Sequence, residues 1–101
     1  MNPAELIRAY EARDRIFGRM PEPQWRIILD LAENGPCRIT SVCIGANCPQ
    51  TTGLRHIAKL ESDGLVWRMG ELYDRKAVVV SLTTMAWNML AQMDVPVKAA
   101  A

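Results

Sequence analysis

The chain is poor in the groups that metal and disulfide frameworks need. Three cysteines, Cys37, Cys43 and Cys48, and one histidine, His56, are spread over 101 residues. No two cysteines form a C-x-x-C pair, whereas a structural zinc site uses about four ligands, often so spaced. An odd cysteine count without an export-type leader also speaks against a disulfide framework. Reduced, core-facing thiols are the expectation, with no metal and no cofactor. No Ser-His-Asp or Cys-His arrangement is visible, so catalysis is not expected. No apolar run has the length needed to span a bilayer. The first stretch, "MNPAELIRAYEARDRIFGRM", mixes charges unlike a targeting segment, which makes a cytoplasmic protein without a membrane partner the expectation. Excess positive charge is lacking too. Twelve basic residues meet 11 acidic ones for a net +1, so any nucleic-acid contact must come from local placement of charge.

What is present is ordinary globular material, 50% apolar and 23% charged. The length suits one domain with one modest core. Pro3 fits the first turn of a helix over residues 3–19. Leu6, Tyr10, Arg13 and Phe17 share one of its faces, Ile7 and Ile16 flank that face, and Gly18 with "MPEP" closes it. Residues 22–33 read as a second helix, with Trp25, Ile28, Leu29 and Ala32 at i, i+3, i+4 and i+7; "NGP" stops it. "CRIT" is a candidate short strand, and Thr40 or Ser41 then caps a third helix at about 41–46. Asn47 suits a left-handed turn, Cys48 follows as an apolar plug, and Pro49 opens a helix to about Asp63 that Gly64 ends. "LVWRM" and "KAVVVSL" read as strands around a tip, "GELYDR", with Val78, Val80 and Leu82 alternating toward one face. Thr83 or Thr84 caps a last helix, "MAWNMLAQM". The predicted fold is mainly α with a small β-wing: a winged helix-turn-helix with flanking N- and C-terminal helices. It is one domain over 1–101, comprising an N-terminal helix (1–20), a winged-helix core (22–83), a C-terminal helix (84–94) and a tail (95–101).

The helix at about 49–63 carries the chemistry. With about 100° per residue, Gly53, Ile57, Leu60 and Gly64 fall on a narrow inner arc. Thr51, Thr52, Arg55, Lys59 and Ser62 fall opposite, with Leu54 and His56 at the sides. A polar arc is usually only a solvated face. Here, however, Gln50, Thr51, Thr52 and Arg55 crowd the N-terminal half, and such groups donate to phosphates and base edges. The acids Glu61 and Asp63 are held to the C-terminal end, which the helix dipole disfavours. A tight turn before this helix projects its N-terminus outward, as in major-groove readers, and that N-terminus offers free N–H groups to a phosphate.

"TTGLRHIAKLESDGLV" followed by "DRKAVVVSLT" resembles the winged helix-turn-helix of MarR-type bacterial transcription regulators. The match runs through Thr51, Thr52, Arg55, Leu60, Glu61, Gly64, Leu65, Val66, Asp74, Arg75, Lys76, Leu82 and Thr83. "ARDRIFG", "EPQWRIILDL", "ITSVCIGAN" and "TTGLRHI" are closer still to small winged-helix proteins of alphaproteobacteria, over roughly residues 12–90. The resemblance implies a transcriptional regulator that binds double-stranded DNA. Its recognition helix, about 49–63, would lie in the major groove through Gln50, Thr51, Thr52, Arg55, His56 and Lys59. Its wing tip, about 70–76, would lie at the minor groove through Arg75, with Lys76 or Arg68 on a phosphate. The tip departs from the family by lacking its Pro and Gly and by carrying Lys at one Arg position. Leu54 stands where a Ser is frequent and could meet a thymine methyl instead. The resemblance also implies a homodimer. The residues argue this separately, because Tyr10, Ile16 and Phe17 on the first helix and Trp87, Leu90 and Met93 on the last exceed what one small core covers. The terminal helices are short for the family, which weakens the case for an effector pocket between them.

Two other readings stay open at this point. The winged helix could be a protein-interaction module acting on a transcription or signalling partner, without sequence-specific DNA binding of its own; the near-neutral charge favours it. Cys43 and Cys48 straddle the turn, so their oxidation would distort the recognition helix. Operator, regulated genes, sign of regulation and effector are not written in the sequence. The wing reading makes one prediction. Arg75→Ala should weaken binding more on A·T-rich than on G·C-rich flanks, because a narrow minor groove attracts arginine; equal losses in a binding titration would reduce Arg75 to a phosphate contact.

Overall fold

Pairing and capping in the computed structural model, which describes residues 2–70 and 78–93, organise eight elements. They are α1 (Pro3–Phe17), α2 (Glu22–Asn34), β1 (Cys37–Arg38), α3 (Ile39–Gly45), α4 (Gln50–Ser62), β2 (Val66–Gly70), β3 (Val78–Leu82) and α5 (Thr84–Ala91). The expected wing tip with Arg75 and Lys76, and the expected tail, lie outside the described residues. The strands form one antiparallel sheet in the order β1-β3-β2. Val66 pairs with Leu82, Arg68 with Val80 and Gly70 with Val78, while Cys37 pairs with Val80 on the other edge of β3. The fold is therefore mostly helical with a three-stranded sheet, as the sequence predicts for a winged helix-turn-helix.

Each boundary has a local cause. Asn2 Oδ1 accepts the Glu5 N–H at 2.9 Å and caps α1, with Pro3 just inside. Helix α1 stops at Phe17, two residues short of expectation, because Gly18 turns left-handed at φ 74°. The start of α3 corrects the sequence reading. It begins at Ile39 rather than 41, Arg38 occupies the cap position, and neither Thr40 nor Ser41 caps it. The pairing of β1 with β3 holds the chain extended through Arg38, so the helix begins as soon as that pairing ends.

The core is built from Ile27, Ile28 and Leu31 of α2, Val42 of α3, Ile57 and Leu60 of α4, Val66 and Val80 of the sheet, and Ala86 of α5. This corrects the face assigned to α2. Leu29 is exposed, Trp25 and Ala32 are half-buried, and the buried row is Gln24, Ile27, Ile28 and Leu31. Both rows have the i, i+3, i+4, i+7 spacing, and Gln24 disguised the true one. Along α1 only Ala12 and Arg13 are buried, so Leu6, Ile7 and Tyr10 stand exposed. Phe17 meets Trp25 edge-on at 5.3 Å.

Thr83 ties the end of α4, the sheet and α5 together. Its Oγ1 donates to the Gly64 carbonyl at 2.6 Å and accepts the Ala86 N–H at 3.1 Å, capping α5. Its N–H donates to the Leu65 carbonyl at 3.1 Å. Thr83→Ala should lower stability in urea unfolding by about 1–2 kcal/mol, the range of a lost cap. Thr83→Ser should recover most of it; equal losses would assign the effect to the methyl group.

Candidate nucleic-acid interface

The turn between α3 and α4 positions the candidate surface. The Asn47 N–H donates to the Ile44 carbonyl at 3.0 Å and the Cys48 N–H to the Cys43 carbonyl at 3.1 Å. Asn47 itself sits at φ 54°. Paired bonds of this kind around a left-handed residue are a Schellman stop, which closes α3 in one sharp turn. Pro49 then adopts φ −58° and α4 starts. No side chain caps α4, so its first N–H groups are available to an anion.

Helix α4 sits as its sequence pattern predicts. Gly53, Ile57 and Leu60 are buried, while Thr51, Thr52, Arg55, Lys59 and Ser62 are exposed. Gly53 is the point of closest approach. A Cβ there would collide with Cys43 Sγ and lie 3.3 Å from Cys48 Sγ, so a side chain would push α4 off α3. Gln50, Thr51, Thr52 and Arg55 share the outer surface of the N-terminal half. Among the described residues Arg55 makes no ion pair.

Among the described residues, the other expected contacts, His56, Lys59 and Arg68, are already engaged within the protein. Lys59 Nζ lies 3.0 Å from Asp63 Oδ1, one helical turn on. Arg68 holds Glu61 through Nη2 at 2.7 Å and Nε at 3.2 Å. That hydrogen bond holds the Glu61 carboxyl below its usual range and raises Arg68. The Glu61 contribution to stability is thus present above the ordinary carboxylate pKa and lost as pH falls through the lowered value. His56 is half-buried, with Nδ1 3.2 Å from Gln24 Nε2. Gln24, buried under α4, was missed by sequence reasoning; nothing in a lone glutamine marks it as a partner of that helix.

The terminal helices divide the expected dimer contacts into two groups. Tyr10 and Trp87 are about half exposed, at 54% and 46%, and Ile16 and Met93 are half-buried. Phe17 and Leu90 already pack against the chain's own core. Leu6, Ile7 and Met85 add exposed apolar surface that the sequence reading had not assigned to a contact. Buried Arg13 joins α1 to α2: its guanidinium lies 4.8 Å from the Tyr10 ring and 5.7 Å from the Trp25 ring, and Nη1 lies 2.7 Å from Glu22 Oε1. A groove of about 570 Å³ runs over Phe17, Met20, Leu65 and Met89, with Lys59 and Asp63 at its rim. No helix among the described residues is long and apolar enough to cross a membrane.

Comparisons with known proteins agree with this geometry. Residues 20–86 match the family model of a winged helix DNA-binding domain. Similar solved structures include RV1404 from Mycobacterium tuberculosis, 16% identical with a TM-score of 0.82 over 89% of this chain and 62% of that one. A transcriptional regulator from Thermotoga maritima is 24% identical, with a TM-score of 0.73 over 85% of this chain and 61% of that one. BpsR from Bordetella bronchiseptica, whose DNA binding is regulated by 6-hydroxynicotinic acid, is 24% identical, with a TM-score of 0.67 over 87% and 71%. The chain thus spans under two thirds of the length of the first two. A search of curated protein sequences finds no match.

Proposed function

The chain belongs to the winged helix DNA-binding domain family, and from that premise we propose that it is a MarR-type transcriptional regulator that reads double-stranded DNA. The observation that carries this is the outer surface of α4. Gln50, Thr51, Thr52 and Arg55 stand together at an uncapped helix N-terminus, and Arg55 is without an internal ion pair among the described residues. In the major groove these groups would donate to base edges and phosphates. The MarR assignment, and the closer likeness to the small alphaproteobacterial proteins, rest on the order of motifs from "ARDRIFG" to "DRKAVVVSLT". The wing residues Arg75 and Lys76 would add minor-groove and phosphate contacts. His56 would act from the flank, because it is held by Gln24. Arg68 would contact phosphate only by leaving Glu61.

The protein would act as a homodimer through α1 and α5. Tyr10 and Trp87 offer half-exposed rings, and Leu6, Ile7 and Met85 extend the apolar surface. Twofold pairing would set two copies of α4 about 34–36 Å apart, one DNA turn. The second reading, an interaction module without sequence-specific binding, draws on the net charge of +1 and on the internal pairing of Lys59 and Arg68. Phosphate contacts release counterions and give a steep salt dependence, so a flat salt slope would favour the module.

Selection of duplexes from random-sequence DNA, followed by salt titration, tests the reading. Arg55→Ala should weaken the selected site by about 1–3 kcal/mol and relax preference at one base pair. Lys59→Ala should weaken all sequences alike and flatten the salt slope, modestly because Asp63 already neutralises it. Unchanged affinity in both folded variants would sink the major-groove assignment.

Assembly is tested by sedimentation. The protein should be dimeric at micromolar concentration, and Trp87→Ala should shift it to monomer by about 2 kcal/mol or more, the size of an interface anchor. A monomeric unmutated protein would contradict the pairing.

A further inference from the structure

The Schellman stop of α3 does more than turn the chain. Its two outer residues usually form an apolar contact, and here both are cysteines. The Cys48 N–H donates to the Cys43 carbonyl at 3.1 Å. That bond folds residue 48 back over residue 43, as a disulfide between them needs, since its Cα atoms lie roughly 4.4–6.8 Å apart. Both sulfurs converge on one spot of α4. A Cβ at Gly53 would collide with Cys43 Sγ and lie 3.3 Å from Cys48 Sγ. All three thiols are free. Cys43 is buried and Cys48 half-buried, and both line an open depression of about 330 Å³ with Ile44, Asn47 and Pro49. Both thiols face the core as expected, Cys43 buried in it and Cys48 packed against it. Cys37 stands apart in β1, with its thiol donating to the Gly35 carbonyl at 3.2 Å.

We infer that Cys43 and Cys48 form a two-thiol oxidation site in which a hydroperoxide closes an intramolecular disulfide across the turn and thereby disturbs the start of α4. The accessible Cys48 reacts first. Its thiolate attacks the terminal peroxide oxygen, the O–O bond breaks, and the leaving alkoxide takes a proton to become an alcohol, or water when the oxidant is hydrogen peroxide. Cys48 is left as a sulfenic acid. Cys43 then gives up its proton and attacks the Cys48 sulfur; the S–O bond breaks and the hydroxyl leaves as water. Two thiols and one hydroperoxide yield one disulfide, one alcohol and one water, with two electrons passing to the peroxide. Burial above all, then the neighbouring Cys48, pushes the Cys43 thiol up, so closure should quicken as pH rises toward that value. A disulfide sets its sulfurs about 2.05 Å apart, closer than any non-bonded contact. Pro49, stiff in φ, would pass the pull on Cys48 to Gln50, Thr51 and Thr52. The consequence for DNA rests on the function proposed above; the disulfide itself does not.

The test uses the full chain carrying Cys37→Ala, treated with hydrogen peroxide. Both remaining thiols should disappear together, with a mass loss of two hydrogens and no interchain band on a non-reducing gel. Amide exchange in the first turn of α4 should rise. Affinity for the selected duplex should fall about tenfold, an ordinary coupling between sites, and return on reduction with dithiothreitol. Cys48→Ser should leave DNA binding indifferent to peroxide. Surviving thiols, a mass gain from sulfinic or sulfonic acid, or an interchain crosslink would overturn the proposal. A disulfide with unchanged exchange and affinity would overturn the disturbance of α4. Should the reduced protein bind no duplex at all, the DNA reading fails, while thiol count and exchange still decide this one.

Discussion

Everything that this protein can present outward depends on how closely α4 lies on α3. Gly53 faces Cys43 and Cys48 with no side chain between them, and the four-residue turn through Asn47 brings the two helices to that contact. Ile57 and Leu60, fully buried, then hold the rest of the inner arc on the core. The outer arc is a consequence of that packing. Thr51, Thr52 and Arg55 are exposed because the residues opposite them are locked.

The near-neutral net charge takes on a different meaning once the pairs are seen. Arg68 with Glu61, Lys59 with Asp63 and Arg13 with Glu22 cancel one another locally. The acids at the C-terminal end of α4 therefore act as partners for neighbouring bases, which explains why they sit where the helix dipole disfavours them. Solvent weakens such exposed pairs, so their effect is to organise charge more than to stabilise the fold. What they leave at the other end of the helix is Arg55 among hydroxyl and amide groups.

The two ends of the chain show the opposite imbalance. The N-terminal half of α1 stands clear of the core, and Trp87 and Met85 of α5 are half exposed. Arg13, lodged between the Tyr10 and Trp25 rings and held by Glu22, fixes the angle at which α1 leaves the domain. Tyr10 and Trp87 on these helices, like Trp67 on β2, are about half exposed, and the homodimer proposed above would cover the first two.

The order of elements, the left-handed Asn47, the glycine stop after α4 and the inner arc of that helix were legible because each is local. Periodicity, turn chemistry and capping are written in neighbouring residues. The start of α3 was not, since it follows from the pairing of β1 with β3, some forty residues away. The buried row of α2 was not either, because two rows had equal spacing and only packing against α4 selects the one containing Gln24. The same holds for site chemistry. The residue types at Thr51, Thr52 and Arg55 were determined by the sequence alone. The tertiary structure decided which bases are held by acids, that His56 leans on Gln24, and that two cysteines five residues apart share one point on a glycine. Such contacts depend on distances between elements, and a linear pattern carries no measure of those.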